Sequence, residues 1–478
     1  MSIISKTMSV VAAGGIALSA FTGISMSSAL AKDIVIKMAA PDWGPTRLMQ
    51  DMATKQYKAK SGNNVTLEID FIPWPSFYER VAASLSSGEE KYQMIVSDSQ
   101  WLGAFIEGGH FAKLNKYIDA DPELQAIMKD LHPALVKAYS TYPTGADAYY
   151  GFPQFPDSYP TWFRKDLFCN AKEQAAYKAK YDRTLPCTYD DWEAADWSDW
   201  KNIGIFFKRA KGEPLGDGVA ENDFFGTAYQ AGKGYDFSSC QINSFIWQWG
   251  GDIWDEKNEP SGQAEGIVNS PTNVKAFEAY LDMLPSSPPI WKTGQMDIFA
   301  VQDQFMQGNV AAVINWAGLA EPVLDATKSK VHDKVDFALN PGKRMADGSI
   351  NRTAQIGGQP FVLTTWNSDE IMHESLDVVK WFLSESVQKE FVNNGYLSGL
   401  QSIMAWDGHD KARPWNRAHR EVVPLLKDFW RIPEFFELLT QQQQEFDKAI
   451  TGQISAKQAL DSIAAFQQEL LEDVGRIK

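Results

Sequence analysis

The sequence predicts an α/β fold in a chain of more than one domain, on three observations. Short apolar runs alternate with amphipathic segments along the first hundred or so positions. Glycines close the amphipathic segments, as they close helices. The chain has 478 residues, more than one ordinary core accommodates, so two or three domains are expected. Its composition, 44% hydrophobic and 22% charged, is that of a globular protein and argues against general disorder.

Residues 33–39, 65–71 and 92–97 read as strands. Residues 46–61 read as a helix closed by Gly62, and residues 76–87 as a helix closed by Gly88. Strand, helix, strand, helix, strand implies a parallel sheet with crossover helices. In such sheets the loops beyond the strand C-termini line the ligand crevice. Here those loops carry Asp42, Trp43, Trp74, Asp98, Gln100 and Trp101.

Further along, Ser270-Pro271 reads as an N-cap with proline in the first turn of a helix that stops at Pro285. Leu376, Val379, Phe382 and Leu383 form the apolar stripe of a helix ending near Gly395. Ser455 through Gln458 fits a capping box, so two helices close the chain. The run Gln441 to Gln444 reads as a solvated helix face.

The first residues differ from the rest. Lys6 precedes a short apolar run from Val10 to Ala20, and Ala29-Leu30-Ala31 supplies small residues where a signal peptidase reads. Residues 1–31 are therefore expected to be a signal peptide cut before Lys32. The run is about half of the roughly 20 residues a membrane span needs. No cysteine sits at the cut, so an exported protein free in solution is expected. Losing Lys6 moves the formal charge from -16 to -17. That acidity argues against nucleic acid or anionic membrane as partner and is silent on a neutral ligand.

Of three cysteines, an odd number, one stays unpaired. Cys169 and Cys187 flank a polar stretch and could bridge, or could remain buried thiols. The six histidines are scattered without ligand spacing, so no metal is expected, and no cofactor motif is present.

Seventeen tryptophans are the clearest compositional signal. An indole face stacks on the C–H face of a sugar ring and excludes water from both. The hydroxyls then need in-plane polar partners, and one left unpaired costs about 1–3 kcal/mol. Aromatic and polar residues cluster at Asp42-Trp43, at Asp98 to Trp101, at Trp247-Gln248-Trp249, at Gly251-Asp252 and at Asn315-Trp316. Trp74 is fixed between two prolines, and Gln359 follows Gly357-Gly358. The ligand candidates are thus Asp42, Trp43, Trp74, Asp98, Gln100, Trp101, Trp247, Trp249, Asp252, Asn315, Trp316, Gly358 and Gln359. Trp192, Trp197 and Trp381 read as core or surface-groove residues.

Several blocks, in order, resemble the extracellular solute-binding proteins of ABC importers, in particular the maltose-binding-like, sugar-carrying group. They are Tyr150 to Pro153 with Phe163 to Phe168, Thr188 to Trp192, Gly250 to Asp252 with Ile267 to Pro271, Phe305 to Trp316, Gly357-Gly358 with Phe361 to Leu363, and Thr451 to Ser455. The stretch from Asn170 to Phe237 is longer and more polar than is usual in that family, and could reshape the cleft mouth. The resemblance implies the two-lobe periplasmic-binding-protein fold with three interlobe crossings and a ligand cleft between the lobes. The crossings are expected near Phe152-Pro153, near Gly357-Gly358 and between Gly399 and Ala405. The first lobe would hold residues 32–152 and 359–400, the second residues 153–358 and 401–478.

The resemblance further implies a monomer that captures a small sugar-like ligand or polyol by hinge closure. It would hand that ligand to ABC transporter permease subunits with their ATPase. A carbohydrate-active enzyme is the rival reading, but Asp190-Asp191 are helix neighbours that cannot face one site, and a first-turn dipole role suits them better. Within the binding proteins, a polyamine, a peptide or an anionic sugar would suit the same fold. Arg80, Arg352 or Arg413 could serve the anion.

Overall fold

The structure, a computed structural model, describes residues 31–255 and 262–477. The expected signal peptide, apart from Ala31, lies outside them.

The expected alternation forms the first sheet. β1 (Asp33–Pro41) and β2 (Asn64–Ile72) flank α1 (Gly44–Gln56), and α2 (Trp74–Ser87) leads to β3 (Met94–Val96). β1 pairs in parallel with both β2 and β3. Along β1, Ile34, Ile36 and Met38 turn inward, and from Met38 onward every residue is buried as the strand enters the middle of the sheet. The sheet is completed by β4 (Gly151–Asp157) and the returning strand Gly357–Leu363, which runs antiparallel between β3 and β4.

A second, four-stranded sheet is built from Val335–Ala338, β5 (Thr161–Arg164), Val310–Ile314 and Phe225–Ala228, in that order. Thus a five-stranded and a four-stranded sheet each anchor a lobe, and the chain passes from one to the other through Ser158, Tyr159 and Pro160. It returns where Ala354–Gln355 pairs with Leu426–Lys427 just before the strand Gly357–Leu363. Leu400 still bridges Leu131 of the first lobe, whereas Trp415 packs at 5.0 Å on Phe337 of the second sheet.

Four local expectations change. The chain does not leave the first sheet at Phe152-Pro153; β4 continues to Asp157. It is an edge strand, where proline's missing N–H is tolerated, and a register shift opposite Gln359 and Pro360 accommodates Pro153. α1 stops at Gln56 rather than near Ser61, because the Tyr57 hydroxyl and the Lys60 N–H both turn to the Asp377 carboxylate, at 3.2 and 3.0 Å. The single helix expected to end near Gly395 is two, Asp369–Phe382 and Glu385–Asn393. Gln388 closes the first by donating to the Phe382 carbonyl at 2.9 Å.

The glutamine run is not a solvated face. Gln442 and Gln443 are buried, pairing with Asn243 at 3.2 Å and Ser238 at 2.8 Å, and so dock the helix Phe435–Ile450 onto Phe237–Gln248. The capping box at Ser455 opens the helix Ala456–Asp473, and Asp191 caps its own helix through Thr188. Cys169 and Cys187 are disulfide-bonded, and Cys240 is a buried free thiol.

Candidate functional site

Between the lobes lies a cleft with about 500 Å³ of empty space, part of it open to solvent. The first lobe contributes Trp43, Trp74, Asp98, Gln100, Asp157, Gly357, Gly358 and Gln359; the second contributes Tyr235, Asp236, Phe237, Ile298 and Trp316. Gln355 and Ile356 line it from the return crossing.

Each wall follows from its element. Trp43 is the extended N-cap residue of α1, and Trp74 the first residue of α2, held between Pro73 and Pro75. Their rings meet edge to face, centroids 5.4 Å apart at 87°. Phe155 on β4 supports Trp43 from a third direction at 5.2 Å. Trp316 follows the strand Val310–Ile314 and stacks on Tyr159 at 3.7 Å. Its other support is a glycine, since a Cβ on Gly357 would stand 2.3 Å from the Trp316 ring. Gly358 has φ +96, and a Cβ there would meet the Phe155 carbonyl at 1.9 Å, so the backbone demands glycine twice over.

Polar groups of the two lobes join across the cavity. The Tyr235 hydroxyl donates to Asp98 at 2.9 Å, and the Gln100 amide donates to Asp236 at 3.1 Å. Asp157 accepts the N–H groups of Ser158 at 2.8 Å and of Gly318 at 3.1 Å. Burial, reinforced by the neighbouring Asp236, pushes the Asp98 carboxyl well above the usual range, and burial also raises Asp236. Burial pushes Asp157 up to about 8, against the pull of the backbone N–H groups of Ser158, Gly318 and Ala317. The oxygens of Gln100, Gln355 and Gln359 and the indole N–H of Trp43 are buried without a partner among the described residues. A ligand carrying both donors and acceptors would satisfy them.

Seven of the thirteen sequence candidates are brought together here: Trp43, Trp74, Asp98, Gln100, Trp316, Gly358 and Gln359. The other six do not line the cavity. Asp42 turns outward to Arg47 at 2.6 Å. Trp101 is fully buried, because the short turn Ser99–Trp101 rotates it into a cluster with Phe77 and Tyr78. Trp247, Trp249 and Asp252 sit at the far end of the helix Phe237–Gln248; Trp247 bonds Asp252, which also holds Lys427 at 2.8 Å, and Trp249 stacks on Phe245. Asn315 bonds the Ile298 carbonyl and the Trp316 N–H, so it positions that tryptophan from behind.

Sequence reasoning missed Asp157, Tyr235, Asp236, Phe237, Ile298, Gln355, Ile356 and Gly357. For Tyr235 to Phe237 a signal existed, since they end the unusually polar stretch set apart from Asn170 onward. The three arginines weighed for an anion are absent from the lining. Arg352 donates to the carbonyls of Asn340 and Glu193, and Arg413 pairs with Glu321.

Two α/β lobes with an aromatic and carboxylate-lined cavity between them define a protein that encloses a small solute. No curated protein matches the chain by sequence. Residues 42–389 match the bacterial extracellular solute-binding proteins, and the chain belongs to that family. Its fold is the two-lobe α/β fold of periplasmic binding proteins. It is similar to an ABC transporter solute-binding protein of Agrobacterium radiobacter in complex with ribitol, at 18% identity and a TM-score of 0.72, covering 91% of this chain and 98% of that one. Maltose-bound MalE3 of T. maritima gives 20% identity and 0.71, covering 92% and 100%. A D-mannitol-bound solute-binding protein of Agrobacterium vitis gives 18% and 0.70, covering 93% and 99%. The family and the first of these neighbours are described as solute-binding proteins. No helix among the described residues is long and apolar enough to cross a membrane.

Proposed function

We propose that this protein is the exported, periplasmic receptor of an ABC importer, cut before Lys32, which captures a sugar or polyol and delivers it to the permease subunits with their ATPase. It acts as a monomer and catalyses no reaction. The observation that carries the reading is the cavity itself: three tryptophans, three carboxylates and unmatched glutamine oxygens, drawn from both lobes. Solved relatives of the same fold hold ribitol, maltose and D-mannitol, which supports a polyhydroxylated ligand.

Trp43, Trp74 and Trp316 offer apolar surface to the carbon skeleton. Asp98, Gln100 and Gln359 take the hydroxyls, and Gly358 lets the backbone approach. The missed residues Asp157, Tyr235 and Asp236 join them. Ligand docks on one lobe, and the second lobe rotates onto it. Only contacts made after closure drive the rotation, and the Tyr235–Asp98 and Gln100–Asp236 bonds are of that kind. A micromolar ligand needs about -8 kcal/mol, within reach of such contacts.

A thermal-shift panel of sugars, polyols, sugar acids, peptides and polyamines tests the reading. A ligand at a hundredfold excess over its dissociation constant should add about 2.7 kcal/mol of stability. A panel in which only peptides or polyamines raise the melting temperature would overturn it.

A further inference from the structure

We infer that the cleft takes a single uncharged polyhydroxylated unit, a monosaccharide or a short linear polyol, and excludes oligosaccharides and sugar acids. The inference rests on the proposed reading that the cavity is the solute site.

Size is set by how the walls meet. Successive rings of an oligosaccharide need a trough with aromatic faces arrayed along it. Here the Trp43 and Trp74 rings stand at 87° to each other and form a corner. Trp316 has one face covered by Tyr159 at 3.7 Å, and Gly357 packs against its six-membered ring. One end of the space is shut by the chain itself. Tyr235 reaches across from the second lobe to bond Asp98 at 2.9 Å, and its ring lies 5.9 Å from that of Trp74. The adjoining Gln100–Asp236 bond, at 3.1 Å, extends the same closure. A second sugar ring extended toward this end would have to break both bonds, and these join the lobes.

Charge is set by the lining. It carries Asp98, Asp157 and Asp236 and, among the described residues, no lysine, arginine or histidine. A carboxylate or sulfonate brought into this space would lose its water with no cation opposite, beside three carboxyl groups that its own charge would repel once they ionise, which disfavours such a ligand. A hydroxyl-bearing ligand meets no such penalty. It donates to the carboxyl and glutamine oxygens, and it accepts from the Trp43 N–H, which has no partner among the described residues. An ammonium group has no lone pair for that N–H. An uncharged ligand therefore suits the site better than a cation.

Titration calorimetry of the mature full-length protein tests this with six probes: ribitol, mannitol, glucose, maltose, gluconate and putrescine. At least one of the first three should bind, and at least a hundredfold more tightly than maltose, gluconate or putrescine. Maltose binding as tightly as the best single unit would overturn the size argument and leave the solute-binding reading standing. Gluconate or putrescine binding best would overturn the charge argument. No heat from any probe, together with no thermal shift across a wider sugar and polyol panel, would overturn the inference and the underlying reading together.

Discussion

The Tyr235 hydroxyl of the second lobe donates to the Asp98 carboxylate of the first at 2.9 Å, directly across the cavity. Asp98 stands at the end of β3, and Tyr235 sits in a tight left-handed turn, φ 37, just before the helix Phe237–Gln248. The bond forms only when the lobes meet. Tyr235→Phe keeps the ring and removes the donor, so it should weaken ligand binding about tenfold, the worth of one hydrogen bond to a carboxyl group. Calorimetry checks the loss, and an unchanged melting temperature without ligand separates it from damage to the fold.

Gly357 leaves room for the Trp316 ring, which a Cβ would approach to 2.3 Å. Gly357→Ala should therefore push the indole off its position against Tyr159 and reduce affinity at least tenfold while the circular dichroism spectrum persists. Tryptophan fluorescence should report the displaced ring. Native affinity in this variant would mean that Trp316 plays no part in holding ligand.

Tryptophans inside and outside the cavity should behave differently. Trp74→Ala removes a wall and should cost about 2–3 kcal/mol of binding, typical of a buried aromatic anchor. Trp249→Ala removes a ring stacked on Phe245 at 5.4 Å, away from the lining, and should leave affinity unchanged. Paired titrations of the two variants check the assignment.

Stability should fall on the alkaline side. Asp157 rises from 3.8 to about 8 on folding, because burial penalises its charge. The folded state thus holds this proton more tightly than the unfolded chain does. The group's contribution is complete below pH 3.8 and is lost as pH climbs through about 8. His419 works in the opposite sense. Burial holds it down to about 3, so its contribution is complete above 6.5 and is lost below. Between pH 6.5 and about 8 the carboxyl effect should dominate, and the melting temperature of the unliganded protein should drop. Asp157→Asn should reduce that slope, the remainder coming from Asp98, which burial also raises to about 8, as measured by calorimetric melts at several pH values.

The Cys169–Cys187 bond ties a loop with 18 residues of separation in the second lobe. Its loss by reduction or by Cys187→Ser should cost about 3 kcal/mol, the chain-entropy worth of a loop this size. Ligand affinity should hold, since neither cysteine lines the cavity. Denaturant melts with and without reductant, read beside calorimetry, check both halves.

The alternation of the first sheet was legible because each strand is a short apolar run bounded by glycine or proline, and each crossover helix carries its own stop. Loops after parallel strands led directly to Trp43, Trp74, Asp98 and Gln100. The same rule admitted Asp42 and Trp101, because it selects a loop and not a side-chain direction. One turn of 3-10 helix points Gln100 into the cavity and Trp101 into the core. Trp247, Trp249 and Asp252 were misplaced for a different reason. They are rich in the right chemistry, but the helix Phe237–Gln248 presents its opposite end to the cavity, and sequence composition does not orient a helix. Asp157 went unread because the resemblance placed the first crossing at Phe152-Pro153, whereas β4 runs on to Asp157.

The central claim is that two lobes close over a small solute. Small-angle X-ray scattering on the mature protein, with and without a saturating ligand found by thermal shift, measures this most directly. The radius of gyration should fall when ligand is bound, and the Tyr235→Phe variant should need more ligand for the same change. An identical radius in both states, at proven saturation, would contradict it.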